Sequence, residues 1–524
     1  MKVIILESAG NSKHYLLFII YILSLVSYAF VLPEELFDPY QRKLIFLVAI
    51  IGLWRYSWFI LNITRAYTYK NSKFKAIRKR EEEGGEELDP EYVFLLITTF
   101  RIATSVTVRV YRAAIEDAIR SGYNVTIIAS IVEMSEERLV RKIFLGLNPP
   151  QNVKLVITRI KGTGKRDALA AGYRVVANTP INLFKSVVAV IDGDSIISPN
   201  LIKKCSRLFA LDSELGGLTT DEDAELPKEP ETLHEHTYSQ WYKMRFAQRN
   251  ISMSSISLSD RLLTLTGRMS MMRASIVARA EFINTVQLDY LNHWRLGTFG
   301  FLTGDDKSSL YDIMKGGWKM LYVPDVVVHT VEEIVNPNFF KGSLQLMTRW
   351  FGNQYRTNSR QLRIPNARDV VQTYPWYAMI DQRITRWTTP YGFFIAVFGA
   401  ISWGSYVFFA YVWWILLSRL LMAFLYRTSR KNIHPVWPFL MYYNQLVGSF
   451  VKIYIWNHLY KQSWTRQKTK AQRGEQYIEW YYVVSSNGML AIELITFFII
   501  VNLLVQNISL DDIWLFLDSA KGLL

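Results

Sequence analysis

Apolar runs long enough to cross a bilayer stand at both ends of this 524-residue chain, and an ordinary globular pattern fills the middle. A hydrocarbon core of ~30 Å needs about 20 apolar residues per helix. The ends therefore read as membrane segments, and the middle must carry any chemistry. Residues 15–32 lack a small-residue cleavage site, and a second run follows at 44–63. The first run thus reads as a signal anchor rather than a cleaved leader. The strongly basic "RAYTYKNSKFKAIRKR" follows the second run, which places that side in the cytosol. Residues 391–426 form a stretch too long for one helix and fit two, broken near "SWGS". Residues 489–504 give a last span. Residues 433–456 are apolar but hold two prolines, Asn444, Gln445 and Lys452, and read as an interfacial or re-entrant helix. The expected count is five spans, with six as the alternative.

The net charge of +15 is explained by these cytosolic flanks, which favour anionic lipid. No recognisable nucleic-acid module accompanies the charge. The single cysteine, Cys205, excludes an intrachain disulfide and a cysteine-cluster metal site; it reads as a small buried apolar residue.

Strand and helix alternate in the middle. "YVFLLITTF", "NVTIIASIVE", "VKLVITRI" and "SVVAVID" read as strands; "TVRVYRAAIEDAIRSG", "EERLVRKIFLGL" and "KRDALAAGYRVVAN" read as helices. Such alternation predicts an α/β domain with a mostly parallel sheet. Ligands gather at the carboxyl ends of such strands. There the sequence places Asp192-Gly193-Asp194, and further on "FLTGDDKSSL" carries Asp305 and Asp306. Asp192 and Asp194 are too few for a cage, but suffice for Mg²⁺ or Mn²⁺ when substrate phosphates supply other oxygens. "DGD" also occurs in plain loop turns. "RIKGTGKRDAL" opens a helix with small residues and with Lys165 and Arg166, a setting that suits a phosphate. It is not a P-loop, since the Walker spacing is absent. Together these features suggest a nucleoside diphosphate.

A D-x-D motif, then T-G-D-D, then R-W resemble the membrane-embedded family 2 glycosyltransferases that make cellulose, chitin and hyaluronan. "SIVEMSEE", "RIKGTGKRDALAAG", "VVAVIDGD", "KMRFAQRNISM", "LTGRMS", "HWRLG", "YYNQLVG" and "QSWTRQ" are similar to the catalytic subunits of bacterial alginate synthases, from the first span to about residue 464. The resemblance implies a GT-A-type domain inserted between transmembrane helices. It implies processive, inverting polymerisation of mannuronate from GDP-mannuronic acid into poly-β-(1,4)-D-mannuronate, exported across the bacterial inner membrane. The implied layout is a transmembrane hairpin at 1–66, a charged linker at 67–90 and a cytosolic catalytic domain at 91–335. Interfacial helices with the R-W motif follow at 336–388, and a second hairpin at 389–427. An interfacial helix and gating loop occupy 428–487, and a final span with its tail 488–524. No cyclic di-GMP-binding module is evident in the chain, so the family's control by that dinucleotide implies a PilZ-type partner subunit.

The resemblance also implies roles. Asp306 is the base that deprotonates the acceptor hydroxyl. Asp305 stands where the family has glutamate, or serves as a helix N-cap. "DDKSSLYDIMKGG" reads as a helix whose N-terminus favours the charged carboxylates. Lys307 can pair with either acid or with a donor carboxylate. Thr98, Glu133, Lys165, Arg166, Asp192, Arg349, Trp464 and Arg466 would hold the nucleotide, and Asp192 with Asp194 the metal. Thr266, Gly267, Arg268 and Trp350 would hold the acceptor; Trp350 also reads as a membrane-interface tryptophan. Leu346 stands where the Q-x-x-R-W motif has glutamine, with Gln345 one residue off. Arg55 and Arg419 lie in apolar spans and either snorkel to headgroups, bond a neighbouring carbonyl or line an exit channel for a polyanion. His234 and His236 could chelate, but the seven histidines show no zinc spacing. The rival readings are a synthase of another exported glycan and a catalytically inactive membrane scaffold.

Overall fold

A computed structural model describes residues 12–33, 43–161, 164–301, 303–462 and 480–507. The chain divides into two compact units. One holds Asn62–Ile380 and Leu459–Ile478, the other Met1–Leu61, Asp381–His458 and Glu479–Leu524.

The first unit is built on an eight-stranded sheet. Its strands are β1 (Tyr92–Thr98), β2 (Val125–Ile131), β3 (Val153–Arg159), β4 (Ser186–Asp192), β5 (Ser195–Ile197), β6 (Leu215–Glu225), β7 (Met269–Arg273) and, after a separate hairpin of β8 (Tyr290–His293) and β9 (Gly297–Gly300), β10 (Lys319–Val331). The spatial order is β3-β2-β1-β4-β7-β6-β10-β5. β3, β2, β1 and β4 are parallel; β7 runs antiparallel between β4 and β6, and β10 is parallel to β6. All four strands expected from the apolar runs are present. Val93 to Ile97 and Val187 to Ile191 are buried, as parallel strands covered on both faces should be. β10 shifts register between Val323 and Val327, where Pro324 has no N–H for the ladder. The order reverses at β1, whose neighbours are β2 and β4, so a crevice opens at their carboxyl ends.

Helices dominate the second unit. Among the described residues, three are long and apolar enough to cross a membrane: His14–Val31, Tyr406–Thr428 and Trp480–Val505. Trp413 donates to the Leu25 carbonyl at 2.9 Å and Tyr21 to the Leu416 carbonyl at 3.1 Å, joining the first two. Ile395, Val501 and Val505 form a small core between helix Thr388–Trp403 and helix Trp480–Asn507. The break expected near "SWGS" falls at Gly404, whose φ is 117°. Thr388–Trp403 has 16 residues, about 24 Å at 1.5 Å each, short of a full hydrocarbon core. Lys43–Thr68 is a helix, but it carries Arg55 and Arg65. Residues 433–456 fall largely on helix Trp437–Asn457, which is not among the three.

Candidate active site

The site lies at the carboxyl edge of β1 and β4. Asp192 ends β4, in register with Thr98 at the end of β1. The Gly193 N–H donates to the Thr98 carbonyl at 3.0 Å. A Cβ at position 193 would stand 2.7 Å from that oxygen. That oxygen is backbone and cannot swing aside, so the turn between the two acids favours glycine.

Lys165 opens helix Lys165–Ala177, and its ammonium joins the two acid pairs. Its Nζ lies 2.5 Å from Asp192 Oδ1 and 2.9 Å from Asp305 Oδ2. Gly267 closes over this bridge: a Cβ there would meet Asp192 Oδ2 at 2.9 Å and Lys165 Nζ at 3.0 Å. Burial alone would lower the Lys165 pKa; the Asp192 and Asp305 carboxylates outweigh it and keep the ammonium charged. Burial, with Asp194 and Asp305 alongside, pushes the Asp192 carboxyl up to about 6 against the pull of Lys165. Burial would also raise Asp305, but Lys165 and then Arg166 hold it below the ordinary carboxylate range.

Asp305 and Asp306 occupy the first turn of helix Asp305–Lys315, as its sequence pattern predicts. The N-cap is Gly304, so the N-cap reading of Asp305 is corrected: its carboxylate turns to Lys165 instead. Lys307 Nζ is 3.4 Å from Asp306 Oδ2, and burial, opposed by Asp306, lowers the Lys307 pKa.

The other expected ligand residues are placed as follows. Arg166 does not face the edge with Lys165. It is buried and donates to the Val286 carbonyl at 2.6 Å, Ser308 Oγ at 3.0 Å and the Thr303 carbonyl at 3.3 Å, bracing the loop before Asp305. Thr266 is buried and bonds Thr219 Oγ1 and the Met269 carbonyl, each at 3.1 Å, so it shapes a turn rather than an acceptor surface. Arg268 pairs with Glu332 and, at 3.3 Å, with Glu222. Glu133 sits at the N-cap of helix Met134–Gly146 and pairs with Arg101 at 3.2 Å. Trp350 stacks on Trp241, with ring centres 5.6 Å apart. Its neighbour Arg349 is half-buried on the same helix, Phe339–Gln361. Leu346, at the glutamine position of the motif, is buried in the core, while Gln345 is exposed. Trp464 and Arg466 lie outside the described residues.

In the helical unit, Arg55 Nη1 lies 2.7 Å from Asp381 Oδ1. Arg419 donates to Gln445 Oε1 at 2.6 and 3.0 Å and to the Tyr56 hydroxyl at 3.1 Å. Both arginines thus find polar partners on neighbouring helices.

Trp241, Arg245 and Arg249, with Glu222 and Glu332, also stand here, and the sequence assigns them no role. The first three recur at intervals of four along helix Leu233–Ser257, the spacing of one helix face. That spacing is the signal that could have found them. The two glutamates come from strand ends and leave no such trace.

A parallel sheet with carboxylates and a lysine at its edge defines a class of enzyme that acts on activated, anionic donors. The profile of the family described as "Glycosyltransferase like family 2" matches residues 90–353, and the chain is a glycosyltransferase with the GT-A-type α/β arrangement. The resemblance extends well beyond that domain. The chain is 40% identical over 487 residues to Glycosyltransferase alg8 of Pseudomonas syringae pv. tomato, covering 93% of this chain and 95% of that protein. It is 41% identical over 487 residues to Glycosyltransferase alg8 of Azotobacter vinelandii, covering 92% and 96%. The chain belongs to the alg8 glycosyltransferase family. Among solved structures, a mannosyltransferase of Pyrobaculum calidifontis, in complex with GDP-Man and Mn²⁺, aligns at 16% identity and TM-score 0.43 over 75% of this chain and 98% of that one.

Proposed function

We propose that this chain polymerises mannuronate from GDP-mannuronic acid into poly-β-(1,4)-D-mannuronate, by a processive, inverting displacement, and exports the product. The observation that carries the reading is the Lys165 bridge, which sets the two acid pairs side by side at one sheet edge. The second support is the kinship with alg8 glycosyltransferases along nearly the whole chain.

Asp306 takes the proton of the acceptor hydroxyl as that oxygen bonds to the anomeric carbon. The bond from that carbon to the phosphate oxygen breaks on the opposite face, and GDP departs with the electron pair. Lys165 stands beside the DGD turn with its charge held by carboxylates, ready to meet phosphate oxygens. Thr98 and Glu133, with Arg349, Trp464 and Arg466, are assigned to the nucleotide.

The DGD residues fit a divalent cation. Asp192 and Asp194 repel each other enough to help raise Asp192. No third His, Cys, Asp or Glu joins them among the described residues, so diphosphate oxygens must complete the shell. Asp192 and Asp194 would hold Mg²⁺ or Mn²⁺, which supplies positive charge against the leaving diphosphate.

The proposed setting is the bacterial inner membrane, with five spans and the catalytic unit in the cytosol. Full activity is assigned to a complex with a PilZ-type subunit that binds cyclic di-GMP. Full activity of the purified chain alone, indifferent to that dinucleotide, would remove the partner.

Asp306→Asn and Asp194→Ala separate the two acid pairs. Asp306→Asn should lower polymer synthesis at least about 100-fold, the usual scale of general base catalysis, and leave GDP binding intact. Asp194→Ala should weaken Mg²⁺-dependent GDP binding. Polymer at near wild-type rate from the first, or unchanged affinity in the second, would remove the assigned roles.

A further inference from the structure

Beside the acid pairs lies a second cluster, built on helix Leu233–Ser257. Trp241, Arg245 and Arg249 share one face of it. The Arg245 guanidinium carbon lies 4.4 Å from the centre of the Trp350 ring and 4.9 Å from that of Trp241. One turn on, Arg249 is 2.7 Å from the buried Glu222, which Arg268 approaches at 3.3 Å. Lys307, next to the proposed base Asp306, is within electrostatic reach of Arg249 and Glu222. Asn353 lies three residues past Trp350 on the same helix, and Thr303 donates to its Oδ1 at 2.7 Å, two residues before Asp305. The Trp350 ring and the acid pair are therefore tied to one helix and one loop.

Arg245, Arg249, Arg268 and Lys307 bring four cations, set among the carboxylates of Glu222, Glu332, Asp306 and Asp194. Burial, and after it the repulsion of Arg249 and Arg268, pulls Arg245 down to about 10. A cation in that position gains from an incoming carboxylate, and the Arg245 side chain is partly exposed. A guanidinium seated over an indole is also pre-ordered, so it loses little freedom when it binds.

We infer that Arg245, held over Trp350, recognises the carboxylate of the acceptor uronosyl unit, while the Trp350 ring, backed by the buried Trp241, seats the apolar side of the sugar. The inference rests on the proposal that the product is a polyuronate, and names the group that reads its acid. Arg245 is a specificity residue in this account; Asp306 remains the catalytic one.

The test is a titration of the full chain in detergent with an oligomannuronate and with the same oligosaccharide after reduction of its carboxylates to alcohols. Wild type should bind the acid form at least about tenfold tighter, the scale of one charge-assisted hydrogen bond. Arg245→Gln should bind both forms alike, at the level of the reduced one, with GDP binding and the melting curve reporting on its fold. If that variant does not fold, Arg245→Lys carries the test. It keeps the charge but not the planar fork, and should lose at least about threefold of the preference. A wild type with no preference for the acid form would overturn the polyuronate reading itself. A wild-type preference that survives in Arg245→Gln, or is undiminished in Arg245→Lys, would overturn the Arg245 assignment and leave that reading standing.

Discussion

Lys165 and Arg166 are adjacent, both cationic, and both placed at the start of a helix by the sequence, yet they do different things. Consecutive helical residues point about 100° apart, so only one of two neighbours can face a given edge. Lys165 faces the acids, and Arg166 turns into the core. Nothing in the sequence separates them, because the choice is made by what packs on each side. The DGD and DD carboxylates are legible because chemistry of this kind needs acids at strand ends and helix starts. The bridge that Lys165 makes between them is not, since a contact across elements leaves no spacing to read. Removing that lysine leaves two carboxylates without their cation. Lys165→Met should cost about 2–3 kcal/mol of stability, allowing for partial exposure, and should weaken GDP binding at least tenfold. Adding Asp305→Asn should restore stability but not nucleotide affinity. A Lys165→Met chain that melts with wild type would show that the bridge does not matter to the fold.

The four parallel strands illustrate what a sequence can declare about elements. β1 and β4 are buried on both faces, so each reads as an unbroken apolar run bounded by polar turns. Their neighbours β6, β7 and β10 escape this reading. β6 ends in a run of acids, β7 is five residues long, and β10 is interrupted by Pro324. The helix after "TGDD" is legible from its own pattern, but its N-cap is not, because Gly304 reaches that position through a left-handed φ of 84°. The turn joining β4 to the site is the tightest constraint. Gly193→Ala would press a methyl against the Thr98 carbonyl, and neither backbone can give way. That variant should lose GDP binding and melt several degrees lower. Unchanged binding would mean that the β1–β4 edge is looser than its 3.0 Å hydrogen bond implies.

At the scale of the whole molecule, the apolar ends read as membrane segments, and among the described residues three helices meet the length and apolarity of a span. Span counting from sequence is hardest where a helix carries charge inside. Lys43–Thr68 carries Arg55, and Asp381 answers it from a segment far along the chain. Arg419 is likewise answered by Gln445 and Tyr56. These partners account for arginines in apolar helices without either one snorkelling. We propose that both arginines, with these partners, flank a path for the exported polyanion. Arg419→Gln is the cleaner test, since Arg55→Gln would strand the Asp381 charge. Elongation on membranes should slow several-fold while hydrolysis of the donor to water continues; normal polymer would take Arg419 off the path.

The central claim is the donor and the product. Membranes containing the full chain, the proposed partner subunit and cyclic di-GMP should be offered labelled GDP-mannuronic acid, UDP-glucuronic acid and UDP-glucose in parallel. Label should enter a high-mass polymer from GDP-mannuronic acid alone, acid hydrolysis should return mannuronate, and Asp306→Asn membranes should make none. Polymer drawn from a UDP-sugar, with GDP-mannuronic acid left unused, would contradict the account.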